Sequence, residues 1–495
     1  MKRFFSSPVL PLVAGACLRL LFVFKYPAAT GDTVLYEQYA GNWLKLGKFA
    51  MDINAQATPV DLRMPGYPAF LALVYALTGR IGEAARVPVM LAQVLVDLAT
   101  CLVIAALAAM LVRLCGQQTK AKRVFLFALW LAALCPFTAN YVAVPLTEVC
   151  AVFLTALAFL LLIAVAARVT GSPIQLPGGR ELNEQSTWKA AALAGFVVGV
   201  GALVRPETPL VLITTFVALA FWMLPRRDLK RWLLLCFVMC VGCTLPLVPW
   251  TIRNAITLHE FQPLTPKDTT LPSELDPKGF MAWEKTWLYR VRDNYLVAWK
   301  LNDDEIHMAD IPDSAFDTPE ERERVATILD KYNDEITWTQ EEDAIFAQLA
   351  RERTARYPLR TYLWIPARRA IRIWFTPRIE LLPVSGHVFP LAYQREEDPV
   401  DQEVTILFFL GNVVFVASAL WGAWTLWRVP ATRASLAVLI LYIVVRTAFL
   451  TTLETPEPRY VLECFPAILA LAAQVVAGRP TAQPTPVIEP CGLIF

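Results

Sequence analysis

The sequence predicts an all-α polytopic membrane protein, with about ten transmembrane helices, juxtamembrane helices on the outer face and a mainly helical extramembrane insertion. Three observations predict it. Of 495 residues, 56% are hydrophobic and only 18% charged. The charge is gathered: residues 265–400 are dense in it and long stretches elsewhere carry almost none, whereas a soluble chain would spread it throughout. Apolar runs of about 20 residues, enough to cross about 30 Å of hydrocarbon, recur along the chain.

The expected spans lie near 8–26, 87–112, 124–141, 146–167, 189–204, 206–224, 232–250, 404–427, 433–452 and 460–478. The fifth and sixth are short, and Arg205-Pro206 divides them, as a tight hairpin would require. Lys2 and Arg3 open the first run, which outlasts a signal-peptide core and reads as an uncleaved anchor. Short loops carrying Lys120/Lys122/Arg123, Arg226/Arg227/Lys230/Arg231 and Arg428/Arg433 belong in the cytoplasm by the positive-inside rule. Both termini then fall inside. Residues 27–86, the turn at Arg205, 251–403 and 453–459 fall outside. The expected location is a bacterial inner membrane, an origin with which the lack of an Asn-x-Ser/Thr sequon agrees.

Four regions follow: a transmembrane core over 1–250 with the outer loop 27–86, a periplasmic insertion over 251–403, C-terminal spans over 404–478 and a disordered tail over 479–495. Within the outer loop, 33–46 carries a helical stripe of Tyr36, Ala40, Trp43 and Leu44 that Gly47 ends. Residues 66–79 are apolar but too short to span. In the insertion, helices are expected near 319–331 and 339–356. The basic, aromatic stretch Arg368-Arg369-Ala-Ile-Arg372-Ile-Trp374-Phe375 is expected to lie on anionic headgroups. Residues 169–188 read as a connector.

Several function classes find no support. A net charge of +2 without an aromatic-interleaved basic stripe gives no nucleic-acid signature. His259, His307 and His387 are scattered, without metal spacing. There is no GxSxG elbow, Walker loop or dinucleotide fingerprint. The ten cysteines sit mainly in apolar runs, with none between 251 and 400, so a disulfide framework in the insertion is excluded.

The residues that could carry chemistry converge on the outer side. Asp32 reads either as an N-cap for the helix beginning at residue 33 or as a general base that receives a hydroxyl proton. Glu148, opening the fourth span, reads either as a favourable charge at a helix N-terminus or as a second acid at the site. As such it orients the acceptor or, with Asp32, holds a divalent cation (Mg or Mn). Arg63, Arg205, Arg253, Arg446 and Arg459 match phosphate oxygens with a planar fork, or snorkel singly to the interface. Arg446 lies within an apolar run, where charge is expensive and usually functional.

Gly31-Asp32 with Tyr36 and Ala40, followed by Arg63-x-Pro-Gly-Tyr67-Pro, resembles the first outer loop of the GT-C membrane glycosyltransferases, nearest to glycosyltransferase family 39 (the aminoarabinose lipid A transferases and protein O-mannosyltransferases). Pro145-Leu-Thr-Glu148, Gly199-Val-Gly-Ala-Leu-Val-Arg205-Pro-Glu, Pro249-Trp250-Thr-Ile-Arg253-Asn254 and Glu454-Thr-Pro-Glu-Pro-Arg459-Tyr460 are similar to its later motifs, in order and on the same side. The resemblance implies an inverting transfer from a polyprenyl-phosphate-linked sugar to a lipid, glycan or protein acceptor in the envelope. Asp32 would be the base and Glu148 its helper. Arg63, Arg205, Arg459 and Arg253 would hold the lipid phosphate, while Tyr36, Tyr67 and Glu37 would line the sugar pocket. Glu454 and Glu457 depart from the pattern, because either could neutralise Arg459. Two alternatives stand beside this reading: a transporter or flippase for a lipid-linked saccharide, and a non-catalytic subunit of the same fold.

Overall fold

The structure is a computed structural model that describes residues 7–171, 184–266, 275–384, 388, 399–455 and 457–478. The expected tail over 479–495, most of the connector and the Lys2/Arg3 start lie outside the described residues. Among the described residues it is helical, apart from one β-hairpin.

The chain begins with α1 (Val9–Lys25), α2 (Gly31–Leu46), the hairpin β1 (Ala50–Ile53) and β2 (Gln56–Pro59), and α3 (Gly66–Thr78). Then come α4 (Arg86–Leu114), α5 (Ala121–Ala133), α6 (Glu148–Val169), α7 (Glu184–Val204), α8 (Leu210–Met223) and α9 (Leu229–Thr257). The insertion supplies α10 (Lys278–Glu284), α11 (Pro319–Glu335), α12 (Gln340–Arg356) and α13 (Ile365–Phe375). The chain returns through α14 (Pro399–Trp427), α15 (Arg433–Thr451) and α16 (Phe465–Ala472).

Among the described residues, seven helical stretches are long and apolar enough to cross a membrane, and an eighth forms from two pieces, Gln118–Ala133 and Pro136–Ala143, bent by 50°. Pro136 explains the break, since it removes a backbone donor and its ring clashes with the preceding turn. The two remaining expected spans are helices of 17 and 14 residues, α1 and α8. The last span, Pro458–Ala477, is the most buried, whereas α9 and α14 expose most of their apolar surface, as lipid-facing helices do.

The expected hairpin of the fifth and sixth spans does not form. α8 leaves α7 and packs chiefly on α15, while α7 packs on α9 and α6. Glycine decides this partner. A Cβ on Gly195 would collide with the Met239 carbonyl, and one on Gly199 with that of Cys243. Small residues let the two backbones approach, the usual basis of helix association in lipid.

In the outer loop, both predicted helices appear, and Gly47 and Gly79 end them with φ of +65° and +67°. The hairpin between them was not expected. Its turn, Asn54-Ala55, has positive φ at both residues, which suits the right-handed twist of the flanking strands. Gly66 seats α3 against the end of α7, where a Cβ would lie 2.5 Å from the Leu203 carbonyl oxygen. Gly66→Ala is therefore expected to cost about 1–3 kcal/mol by overpacking, read as a lower melting temperature of the detergent-solubilised chain.

The insertion has its own core of Phe280, Trp283, Trp287, Tyr332, Trp338 and Phe346, half of it from α11, α12 and the turn between them. Thr318 and Thr339 cap α11 and α12 as the predicted boundaries suggest. Asp317 ties Arg353, Arg356 and Arg360 together. In the basic stretch, Ile371 and Phe375 are exposed, as are Tyr362, Leu363 and Trp364 just before it. Arg369 instead turns inward and donates to the carbonyls of Leu288, Thr451 and Leu453, which locks the insertion onto the membrane part.

Candidate functional site

Asp32 reaches the site because something else caps its helix. Thr30 is the N-cap of α2, and it and Thr33 exchange side chain-to-backbone hydrogen bonds. This overturns the capping role for Asp32 and leaves its carboxylate, in the first turn of the helix, available to other partners. The Thr33 hydroxyl also donates to the Pro145 carbonyl at 3.2 Å, which brings the Asp32 turn against the Pro145-Leu-Thr-Glu148 corner.

Asp32 Oδ1 accepts from Arg63 Nη2 at 3.1 Å, and Oδ2 lies 3.5 Å from Arg459 Nη2. Arg459 Nη1 continues to Glu148 Oε1 at 3.5 Å, and Arg205 Nη2 donates to the same oxygen at 2.7 Å. Asp32, Arg63, Arg205 and Arg459 line one cavity of about 380 Å³ with Tyr36 and Tyr460. Phe449, Leu450 and Leu453 give it an apolar side. Burial acts to raise the Asp32 carboxyl, but Arg63 and then Arg459 outweigh it and hold the group below the ordinary carboxylate range.

The three arginines are not equally available. Arg205 is used up: Nη2 goes to Glu148, Nη1 to Glu463 at 3.2 Å and Nε to the Thr147 hydroxyl at 3.0 Å. Arg459 meets Glu457 through Nε at 2.7 Å and Nη2 at 2.9 Å. Neutralisation by Glu457, suspected from the sequence, is therefore real, while Glu454 pairs with Lys285 instead. Arg63 remains about a third exposed and makes one other bond, to the neighbouring Leu62 carbonyl.

Four expected residues lie elsewhere or behind the wall. Arg253 is outside the cluster. α9 continues past residue 250, and Arg253 donates to the Phe49 and Val60 carbonyls of the hairpin region at 2.5 and 3.0 Å. Glu37 forms a bidentate pair with Arg86 at 2.7 and 3.0 Å, away from the cavity. On a helix, residues 32 and 36 share a face and residue 37 turns about 100° from it. Tyr67 is fully buried behind Tyr36, ring edge to face at 5.1 Å, and donates to Gln93 at 2.7 Å. Arg446 lies beneath the cavity and donates to Glu463 at 2.6 Å.

Glu463 is the residue sequence reasoning missed. It sits in the last span, fully buried, and accepts from both Arg205 and Arg446. An acid inside an apolar span was the available signal. Arg19 and Asp97 were missed in the same way: they pair at 2.6 Å inside the bundle, and Arg19 also donates to the Gly15 and Ala133 carbonyls.

The two carboxylates expected to hold a divalent cation are already engaged with arginines. Hard cations take six or more oxygens, and among the described residues no three His, Cys, Asp or Glu side chains gather around one point. Asp32 and Glu148 are joined through Arg459, a cation already in place.

No protein-family model matches the chain, and no curated protein matches it. Among solved structures it is similar to the archaeal oligosaccharyltransferase AglB from Archaeoglobus fulgidus in complex with an inhibitory peptide and a dolichol-phosphate (TM-score 0.45, 13% identity, 95% of this chain and 50% of that one). It is also similar to the Archaeoglobus fulgidus oligosaccharyltransferase tethered with an acceptor peptide (TM-score 0.49, 14% identity, 95% and 49%). A third similar structure is ArnT from Cupriavidus metallidurans bound to undecaprenyl phosphate (TM-score 0.40, 14% identity, 95% and 77%). The chain spans about half the length of the archaeal oligosaccharyltransferases. Likeness at this level assigns no residue of this chain a role.

Proposed function

We propose that the chain is an inverting glycosyltransferase that moves a sugar from a polyprenyl-phosphate-linked donor to an envelope acceptor on the outer side of a bacterial inner membrane. One observation carries the reading: an ionised carboxylate, Asp32, shares a cavity with three arginines, and one side of that cavity is apolar. A lipid phosphate leaves more readily where fixed cations meet its charge, and a bound lipid donor would exclude water from the apolar side of the cavity. Arg63 would meet the phosphate first, with Arg459, already paired with Glu457, beside it, and Arg205 fixes Glu148. Asp32 takes the proton of the acceptor hydroxyl as its oxygen bonds to the sugar carbon and the sugar–phosphate bond breaks. The low proton affinity of Asp32 suits this order of events. In an oxocarbenium-like transition state the hydroxyl becomes acidic as it bonds, so a weak base suffices.

The transporter alternative calls for a polar site at mid-membrane between inverted halves. Here the cavity draws on helix ends: Asp32 in the first turn of α2, Thr147 at the start of α6 and Arg205 at the end of α7.

The purified chain, given polyprenyl-phosphate-linked sugars and an envelope extract, is expected to release free polyprenyl phosphate and a glycosylated product, both read by mass spectrometry. Unchanged envelope glycans and lipid-linked sugar pools on deletion of an expressed gene would overturn the reading.

A depressed carboxyl contributes stability above its unfolded value, near about 4. That contribution disappears as pH falls through the lower folded value. Turnover is therefore expected to stay flat from pH 8 to about 5 as far as Asp32 is concerned. A loss centred near pH 6–7 would contradict an ionised, arginine-held base.

A further inference from the structure

A second cavity, of about 580 Å³, lies behind the first. The two share one wall of only two chain segments. Met64 and Val204 face the Asp32 cavity, while their neighbours Pro65 and Leu203 face the second. Its volume is in the usual range for a small-ligand site. Trp43, Phe49, Trp250 and the prolines of α9 make it apolar, and Lys48 and Arg253 stand on it.

Three observations define its occupant. Pro246, Pro249, Arg253 and Thr257 place one face of α9 on the cavity, and the adjoining stripe of Leu245, Val248, Ile252 and Ile256 is exposed and apolar. The cavity therefore borders the lipid-facing side of a spanning helix, at the end that leaves the membrane. No carboxylate is among the residues that line it, although Asp61 acts on Arg253 from outside. Finally, the Trp250 indole N–H is unpartnered while its side chain is 95% buried, a donor with no acceptor in an apolar wall.

We propose that this cavity binds an anionic glycerophospholipid, with an acyl chain against Trp43, Phe49 and Trp250 and the headgroup phosphate at Lys48 and Arg253. The lipid would back the Pro65/Leu203 wall of the Asp32 cavity without taking part in the reaction. The Trp250 N–H would donate to an ester oxygen.

The full chain in neutral detergent, titrated with spin-labelled phosphatidylglycerol or phosphatidylcholine, is expected to retain the anionic lipid at least about tenfold more tightly, given the weight of each basic residue near an anionic headgroup. Lys48→Glu should remove that preference, and Thr257→Trp, which fills the cavity, should weaken both lipids. Trp250→Phe keeps the ring and should weaken binding severalfold. Asp32→Asn should leave binding unchanged, which separates this site from the reaction. Equal retention of the two lipids, or undiminished binding in both Lys48→Glu and Thr257→Trp chains of unchanged melting temperature, would overturn the proposal. Displacement of the phospholipid by stoichiometric polyprenyl phosphate would overturn it too, by assigning the cavity to the donor.

Discussion

Asp32→Asn is expected to lower turnover by about 10²–10⁴-fold, the usual weight of a positioned general base, with little change in melting temperature. The asymmetry follows from where the residue sits. Its side chain is 29% exposed and its partner Arg63 30%, so water screens the pair. Pairs of that kind contribute little to folding. Asparagine has nearly the same shape and its oxygen still accepts from Arg63, but it cannot take the acceptor proton. Its NH₂ would also face Arg459, so the cluster loses one acceptor. Release of polyprenyl phosphate measured beside a melting curve separates the two effects. Retention of more than a tenth of the turnover by a well-folded Asp32→Asn chain would remove Asp32 from the role of base. Arg63→Met makes the complementary case: a donor phosphate held by Arg63 predicts a raised KM for the lipid-linked sugar.

Glu463→Ala is expected to be the most destabilising single change in the membrane part, at about 3–5 kcal/mol. Glu463 is buried between Arg205 and Arg446, and the Tyr442 and Thr155 hydroxyls also reach it. Its removal leaves Arg446, fully buried, with only Glu207 at 3.5 Å and the Tyr460 carbonyl. The cost is that of a stranded charge, not of a lost attraction. The double variant Glu463→Leu with Arg446→Met should therefore recover part of the loss, since Arg205 still keeps Glu148 and Thr147. Melting temperature and yield of the solubilised chain test both variants. A loss below about 1 kcal/mol in Glu463→Ala would show that water or a rearranged arginine replaces the carboxylate.

The legible parts of the site were those set by local rules. Asp32, Arg63, Glu148, Arg205 and Arg459 were expected on one side because span counting and loop charge assign sides. The structure places all five within one connected network. Arg253 and Glu37 passed the same test of side and fail on direction. A helix continued for two more turns aims Arg253 at the hairpin, and one residue of helical rotation takes Glu37 to Arg86. Tyr67 was near the site by sequence and lies behind its wall in space.

Sequence alone determined the helical class, the ten apolar runs, the outer-loop helices with their glycine stops and the two long insertion helices. Each of these depends on residues a few positions apart, through periodicity, hydrophobic length and capping. Tertiary structure decided the rest: α7 pairing with α9 instead of α8, Thr30 capping in place of Asp32, Glu463 beneath Arg205 and an aromatic core inside an acidic insertion. These depend on backbones separated by tens to hundreds of residues meeting closely. Whether a carboxylate faces a guanidinium or open water is fixed by that meeting, not by its neighbours in the chain.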